Sequence, residues 1–151
     1  MHALKTIRLG LAVAAFCSLV AGAADVVPLP KTMLLWSGKS STASEEAQEK
    51  VLPDRGDGVR LITDIKAPSL TVYHAKGAGV KPAALVFPGG GYGILAINKE
   101  GTEVAEWLSN KGVTAIVVKY TVPKDREAAF RDAQRAIRMV RHHAGPWGID
   151  P

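Results

Sequence analysis

The chain has 151 residues, a net charge of +5, 47% apolar residues and 22% charged ones. That is room for one domain at most, and the apolar content is enough to offset the entropy of ordering, which excludes a disordered chain. The charge falls to +3 if Lys5 and Arg8 are removed with a leader, too little to call for a nucleic-acid partner.

Lys5 and Arg8 precede the apolar stretch "LGLAVAAFCSLVAGAA", which closes on the small-x-small triplet Ala21-Gly22-Ala23. Residues 1–23 therefore read as a secretory signal peptide, which implies a secreted or periplasmic protein with no membrane attachment after cleavage. The apolar run is shorter than the roughly 20 residues a membrane span requires. The only cysteine, Cys17, would leave with the leader, so the mature chain could form no internal disulfide.

Residues 24–58 read as an N-terminal arm and loops, rich in Pro, Gly, Ser and charge, with Thr42 to Glu45 a candidate capping box for one short helix. Val59–Ile65 and Ser69–Ala75 alternate apolar and polar residues, and with Ala67-Pro68 between them they suggest an antiparallel pair. "AALVF", from Ala83, is continuously apolar, the pattern of a strand buried on both faces.

Helical periodicity runs from Asn98, a candidate N-cap, to Lys111, with Val104, Ala105, Trp107 and Leu108 on one face and Gly112 at C′. Val113–Tyr120 is a second buried strand. A second helix is expected over about 126–143, its apolar face formed by Ala129, Ala133, Ala136, Ile137, Val140 and Ala144. Strand, helix, strand, helix defines an α/β domain with a parallel sheet, here over residues 59–151.

Between the first buried strand and the first helix stands "PGGGYG", four glycines within five residues. One reading is a tight turn in which glycine supplies positive φ. A second is a dinucleotide loop: Gly91-x-Gly93-x-x-Ala96 fits the looser fingerprint, but Lys119 and Tyr120 occupy the place of the ribose-binding acid. The third is an oxyanion hole, in which bare backbone N–H groups meet the negative oxygen of an acyl-transfer intermediate and no Cβ blocks its approach.

"LVFPGGGYGILAINKEGTEVAEWLSNKGVTAIVVKYTVP", together with "LLWSGK", "RLITDIKAPSLTVYHA" and "DAQRAIRMVRHHAGPWGIDP", closely resembles the acetyl-xylan-esterase-like and lipase-like branch of the α/β-hydrolases. The resemblance covers about residues 34–151. It implies the N-terminal half of an α/β-hydrolase sheet and an oxyanion hole at Gly89, Gly90 and Gly91, with Gly90 and Gly91 offering N–H groups and Gly89 shaping the turn. It also implies that Tyr92 walls the acyl pocket; packing as a loop aromatic is the competing role. The substrate implied is a small ester or an acylated carbohydrate, and the mechanism needs no cofactor and no metal.

The nucleophile elbow G-x-S-x-G does not occur in the 151 residues, so no catalytic triad can be assigned and the chain is expected to be truncated before the elbow, inactive and poorly stable alone. The alternative is a non-catalytic carbohydrate- or acyl-binding half-domain completed by a partner. His74 ends a strand, and His142 and His143 close the second helix, where an imidazole caps the helix dipole. Asp132 is expected to be structural and could pair with Arg135.

Overall fold

The structure, a computed structural model, describes residues 31–36 and 49–150. The expected leader, the capping box at Thr42 to Glu45 and the serines of the 37–44 segment lie outside the described residues.

Among the described residues, seven strands form two sheets. In chain order they are β1 (Lys31–Leu34), β2 (Lys50–Val51), β3 (Leu61–Thr63), β4 (Ser69–Tyr73), β5 (Ala83–Val86), β6 (Leu95–Ala96) and β7 (Thr114–Lys119). A π-helical turn, Asn98–Thr102, leads into α1 (Glu103–Asn110), and α2 is Arg126–His142. The main sheet has the order β1-β4-β7-β5, antiparallel except for the parallel pair β5·β7, and the small antiparallel sheet has the order β2-β3-β6.

Alternation along β7 divides the core. Ile116 and Val118 join Leu70, Val72, Ala129, Ala136, Met139 and Val140 beneath α2. Ala115 and Val117 point the other way and pack with Ala105 and Leu108 of α1. The crossover from β5 through α1 to β7 is the β-α-β unit that a parallel pair requires.

Several expectations are corrected. Val59–Ile65 and Ser69–Ala75 are not partners: β3 pairs with β2 and β6, whereas β4 pairs with β1 and β7. Asp64, at φ +57°, bends the chain directly after β3, and Ile65 then docks on Val122, so β4 starts in the other sheet. The arm is also less loop-like than its composition suggests, because Lys31–Leu34 is a strand of the main sheet.

β5 is half-buried rather than enclosed, because it is the edge of the sheet. Asn98 caps no helix. Its side chain instead accepts from the Arg60 N–H (2.7 Å) and donates to the Gly58 carbonyl (2.8 Å), tying the small sheet to the π-turn.

The buried face of α1 is Ala105, Leu108 and Ser109, with Val104 and Trp107 outside it. On α2, Ile137 likewise lies outside, and Asp132 and Met139 lie inside. Gly112 does stand at C′, at φ +81°, and the bonds Val113 N–H to Leu108 C=O and Gly112 N–H to Ser109 C=O close a Schellman motif. No helix among the described residues is long and apolar enough to cross a membrane.

Candidate active site: the glycine loop

The loop after β5 is built from peptide groups whose carbonyls are held. The Gly89 carbonyl accepts from Ala96 N–H (3.0 Å), and the Gly90 carbonyl accepts from Gly93 (3.1 Å) and Ile94 (3.3 Å). Gly91 and Tyr92, both at positive φ (63° and 60°), are the central residues of the Gly90–Gly93 turn, the pattern of a type I′ turn. Because a peptide is planar, fixing a carbonyl also fixes the N–H on its far side. The N–H groups so fixed belong to Gly90 and Gly91, and among the described residues no acceptor meets either of them. Gly89 is different: its N–H donates to the Glu100 carboxylate at 2.9 Å.

Glycine is required at Gly90, which sits at φ +150° where a Cβ would come within 2.0 Å of the Ile94 carbonyl oxygen. At Gly91 a Cβ would meet open space, so only the φ of +63° resists a side chain.

Three aromatics surround the loop. Tyr120 lies 6.3 Å from Phe87 and 6.4 Å edge-on from Tyr92, centroid to centroid, and its hydroxyl donates to the Pro88 carbonyl at 2.8 Å. Burial, with the Tyr92 phenol and the Glu100 carboxylate nearby, pushes the Tyr120 phenol above its ordinary value, which keeps it a donor. Tyr92 remains 44% exposed, with the Arg126 guanidinium 5.1 Å above its ring, so it is at once packed on the loop and open to a ligand.

The other residues singled out from the sequence lie elsewhere. Asp132, 2% exposed, does not pair with Arg135. Its carboxylate accepts from the Trp36 indole (2.7 Å) and from the Thr121 N–H (2.8 Å) and hydroxyl (2.6 Å), while Arg135 donates to the Leu35 carbonyl. His143 bonds the Met139 carbonyl through Nδ1 and stacks on Trp147 at the end of α2, the helix-capping place expected of it. Lys119 forms an ion pair with Glu49.

The dinucleotide reading fails on geometry, since Leu95–Ala96 form β6 where that fingerprint needs the first turn of a helix. No group of three His, Cys, Asp or Glu side chains among the described residues is arranged for a metal. Sequence reasoning missed Glu100 and Tyr120. The signal lay in their distances from the glycines in space, which spacing along the chain does not carry.

A mixed sheet with one parallel pair, covered by a helix on each face and carrying a glycine loop at the carboxyl end of β5, is a partial α/β-hydrolase fold. No protein-family model matches the chain. It is 38% identical over 65 residues, 42% of its length, to an acetylxylan esterase of Xylanibacter ruminicola, and 33% identical over 89 residues, 55% of its length, to endo-1,4-beta-xylanase B of Butyrivibrio fibrisolvens. Each match spans 14% of the relative's own length.

Among solved structures, the acetyl ester-xyloside bifunctional hydrolase of Caldicellulosiruptor lactoaceticus superposes with a TM-score of 0.62 at 31% identity, covering 85% of this chain and 42% of that one. MGS-M1, an α/β hydrolase enzyme from a deep-sea metagenome library, superposes at 0.51 and 24% identity, covering 68% of this chain and 42% of that one, and speaks to the fold alone. The chain is thus related to the α/β-hydrolases of acetylxylan-esterase-like kind.

Proposed function

We propose that the chain is the oxyanion-binding, N-terminal half of a secreted serine esterase that removes acetyl or similar acyl groups from carbohydrate. The observation that carries this reading is the pair of N–H groups at Gly90 and Gly91, fixed through their anchored carbonyls and without an acceptor among the described residues. Attack of a serine on an ester carbonyl places a full charge on its oxygen, and each N–H aimed at that oxygen lowers the barrier by roughly 2.7–4 kcal/mol. Tyr92 would line the acyl side of the site. The esterase relatives supply the substrate class, and the basic, apolar start of the sequence supplies the case for export.

The nucleophile has a place to arrive. Ile149 forms a parallel bridge with Lys81, the Lys81 N–H donating to the Gly148 carbonyl and the Asp150 N–H to the Lys81 carbonyl, on the edge of β5 that faces away from β7. Parallel strands advance in step, so a strand continuing this register draws level with Phe87 to Gly91 about six to ten residues beyond Ile149. A serine in the turn that ends such a strand would stand beside the free N–H groups.

The test is hydrolysis of p-nitrophenyl acetate by the product of the uninterrupted reading frame, beside the 151-residue chain. The longer product is expected to turn over the ester and to be silenced by an active-site organophosphate, and the shorter chain to be inert. Organophosphate-sensitive turnover by the 151-residue chain would place the nucleophile among its own residues and overturn the proposal. A longer product that binds acetylated xylan without hydrolysing it would favour a binding module instead.

A further inference from the structure

One peptide group of the loop is gripped at both ends. The carbonyl of Pro88 and the N–H of Gly89 belong to a single plane. The Tyr120 hydroxyl donates to the carbonyl at 2.8 Å, and the Glu100 carboxylate accepts from the N–H at 2.9 Å. We propose that Glu100 and Tyr120 are positioning residues for the glycine loop: they fix the Pro88–Gly89 plane, and with it the direction in which the next two N–H groups, those of Gly90 and Gly91, point.

The need for a clamp follows from the sequence. Three consecutive glycines have more backbone freedom than any other run of three, so a loop made bare for close approach is also a loop that wanders. The Gly90 carbonyl is held from within the loop, by Gly93 and Ile94, and the Gly89 carbonyl by Ala96 of β6. The far side of the loop is held by the Lys124 N–H on the Tyr92 carbonyl and the Thr63 hydroxyl on the Gly93 carbonyl. The Pro88–Gly89 plane is the place where side chains from β7's end and from the π-turn hold its entry. Tyr120 directly follows β7, whose residues from Ala115 to Val118 are core, so its hydroxyl carries the position of the central strand to the loop.

Glu100 comes from the opposite direction, out of the π-turn. There Thr102 N–H bonds the Ile97 carbonyl five residues back, at 2.9 Å, and one residue more is accommodated than in an α-turn. Removing that residue would rotate Glu100 by about 100° around the helix and away from Gly89. The turn is seated directly on the loop, since a Cβ at Gly101 would stand 3.0 Å from Pro88 Cγ and 3.3 Å from Val117 Cγ1. Lys99, next in sequence to Glu100, is bound by Glu103 at 3.0 Å. The fit is close enough that a Cβ at Gly89 would fall 2.6 Å from Glu100 Oε2, so the carboxylate is itself a reason for glycine there.

This assignment rests on the esterase reading for its catalytic consequence, but not for its geometry, and the two are tested apart. In the 151-residue chain the Gly89 amide proton is expected downfield of those of Gly90 and Gly91, as a donor to a carboxylate. Glu100→Ala should move it upfield to the position of an unbonded glycine, and Glu100→Gln, which keeps an acceptor oxygen, should restore most of the shift. The Ile116 amide, in the middle of β7, reports that each variant stays folded.

In the p-nitrophenyl acetate assay of the longer product, Glu100→Ala and Tyr120→Phe should each lower kcat about tenfold with KM changed less than about twofold, and Glu100→Gln should recover most of the loss. A Gly89 resonance unmoved by Glu100→Ala would overturn the clamp, as would Glu100→Gln behaving like Glu100→Ala. Absence of turnover in the wild-type longer product would remove the esterase reading and leave the amide shifts to decide the clamp.

Discussion

The two edges of the main sheet are finished differently. On the β1 side, Trp36 and Thr121 are tied to the buried Asp132 carboxylate, Arg135 bonds the Leu35 carbonyl, and the guanidinium lies 5.7 Å from the Trp36 ring. Every polar group named there has a partner. On the β5 side the strand is only half-buried, and both flanking helices turn apolar residues outward. In α1, Val104 and Trp107 are exposed, outside the face formed by Ala105, Leu108 and Ser109. In α2, Arg135 faces β1, so Phe130 and Ile137 fall on the β5 side. Phe130 is 64% exposed and Trp107 60%. One edge is latched by hydrogen bonds, the other is half-buried and flanked by helices with exposed apolar side chains, and the glycine loop follows its strand. On the proposed esterase reading, stability and function are separated across the sheet, which sets where substitutions should be felt.

Outside the glycine loop, the largest effect is expected at the latched edge. Asp132→Ala leaves the part-buried Trp36 indole and Thr121 N–H without their acceptor, at a cost of about 2 kcal/mol, read as a fall in the urea midpoint at unchanged slope. Asp132→Asn, which keeps one acceptor oxygen, should lose about half as much. If both variants unfold with the wild type, the latch does not hold that edge.

Within the loop, Gly90→Ala and Gly91→Ala sharpen the comparison, because the same methyl group meets different surroundings. At Gly90 the clash with the Ile94 carbonyl adds to the strain of φ +150°, for about 2–3 kcal/mol and, in the longer product, loss of turnover. At Gly91 there is space, so about 1 kcal/mol is expected from φ alone. Equal costs at the two positions would mean that the loop relaxes around the carbonyl contact.

Much of this arrangement was legible in the sequence, and its limits have a physical form. The runs 83–86 and 114–119 declared their strands through continuous apolar residues, α2 through its period, and Gly112 through its position after α1. These are local signals. What stayed hidden depended on partners far along the chain: β1 is a strand because β4 lies beside it, and Glu100 matters because it meets Gly89. The face of α1 was misjudged for the same reason. Hydrophobicity alone puts Val104 and Trp107 inward, but both are exposed among the described residues, and periodicity cannot tell a face covered here from one covered by something else.

Those exposed aromatics provide a smaller effect. Trp107→Ser and Phe130→Ser should change the stability of the 151-residue chain by less than about 0.5 kcal/mol, since both side chains are exposed, while reducing its self-association in sedimentation. In the longer product the same substitutions should cost about 1–2 kcal/mol each, because burying an aromatic stabilises by that order. The ratio between the two backgrounds measures how much of the open side becomes covered.

The smallest effect separates the fold from the loop by pH. The phenols of Tyr73 and Tyr120 are both raised, chiefly by burial, with Glu106 acting on the first and with Tyr92 and Glu100 acting on the second. A raised phenol means that the folded state favours the neutral form. Its contribution is therefore complete below the ordinary tyrosine value, about 10, and is lost as pH climbs through the higher folded value. Melting temperature should fall above about pH 10, and Tyr73→Phe should flatten that fall without altering kcat in the longer product at neutral pH. Tyr120→Phe should flatten it too, but at the loss of turnover already described, because this phenol also holds the Pro88 carbonyl. If the two variants behaved alike in both measurements, Tyr120 would be no more than a second packed aromatic, and the division between a stabilising edge and a working edge would not extend to the residues between them.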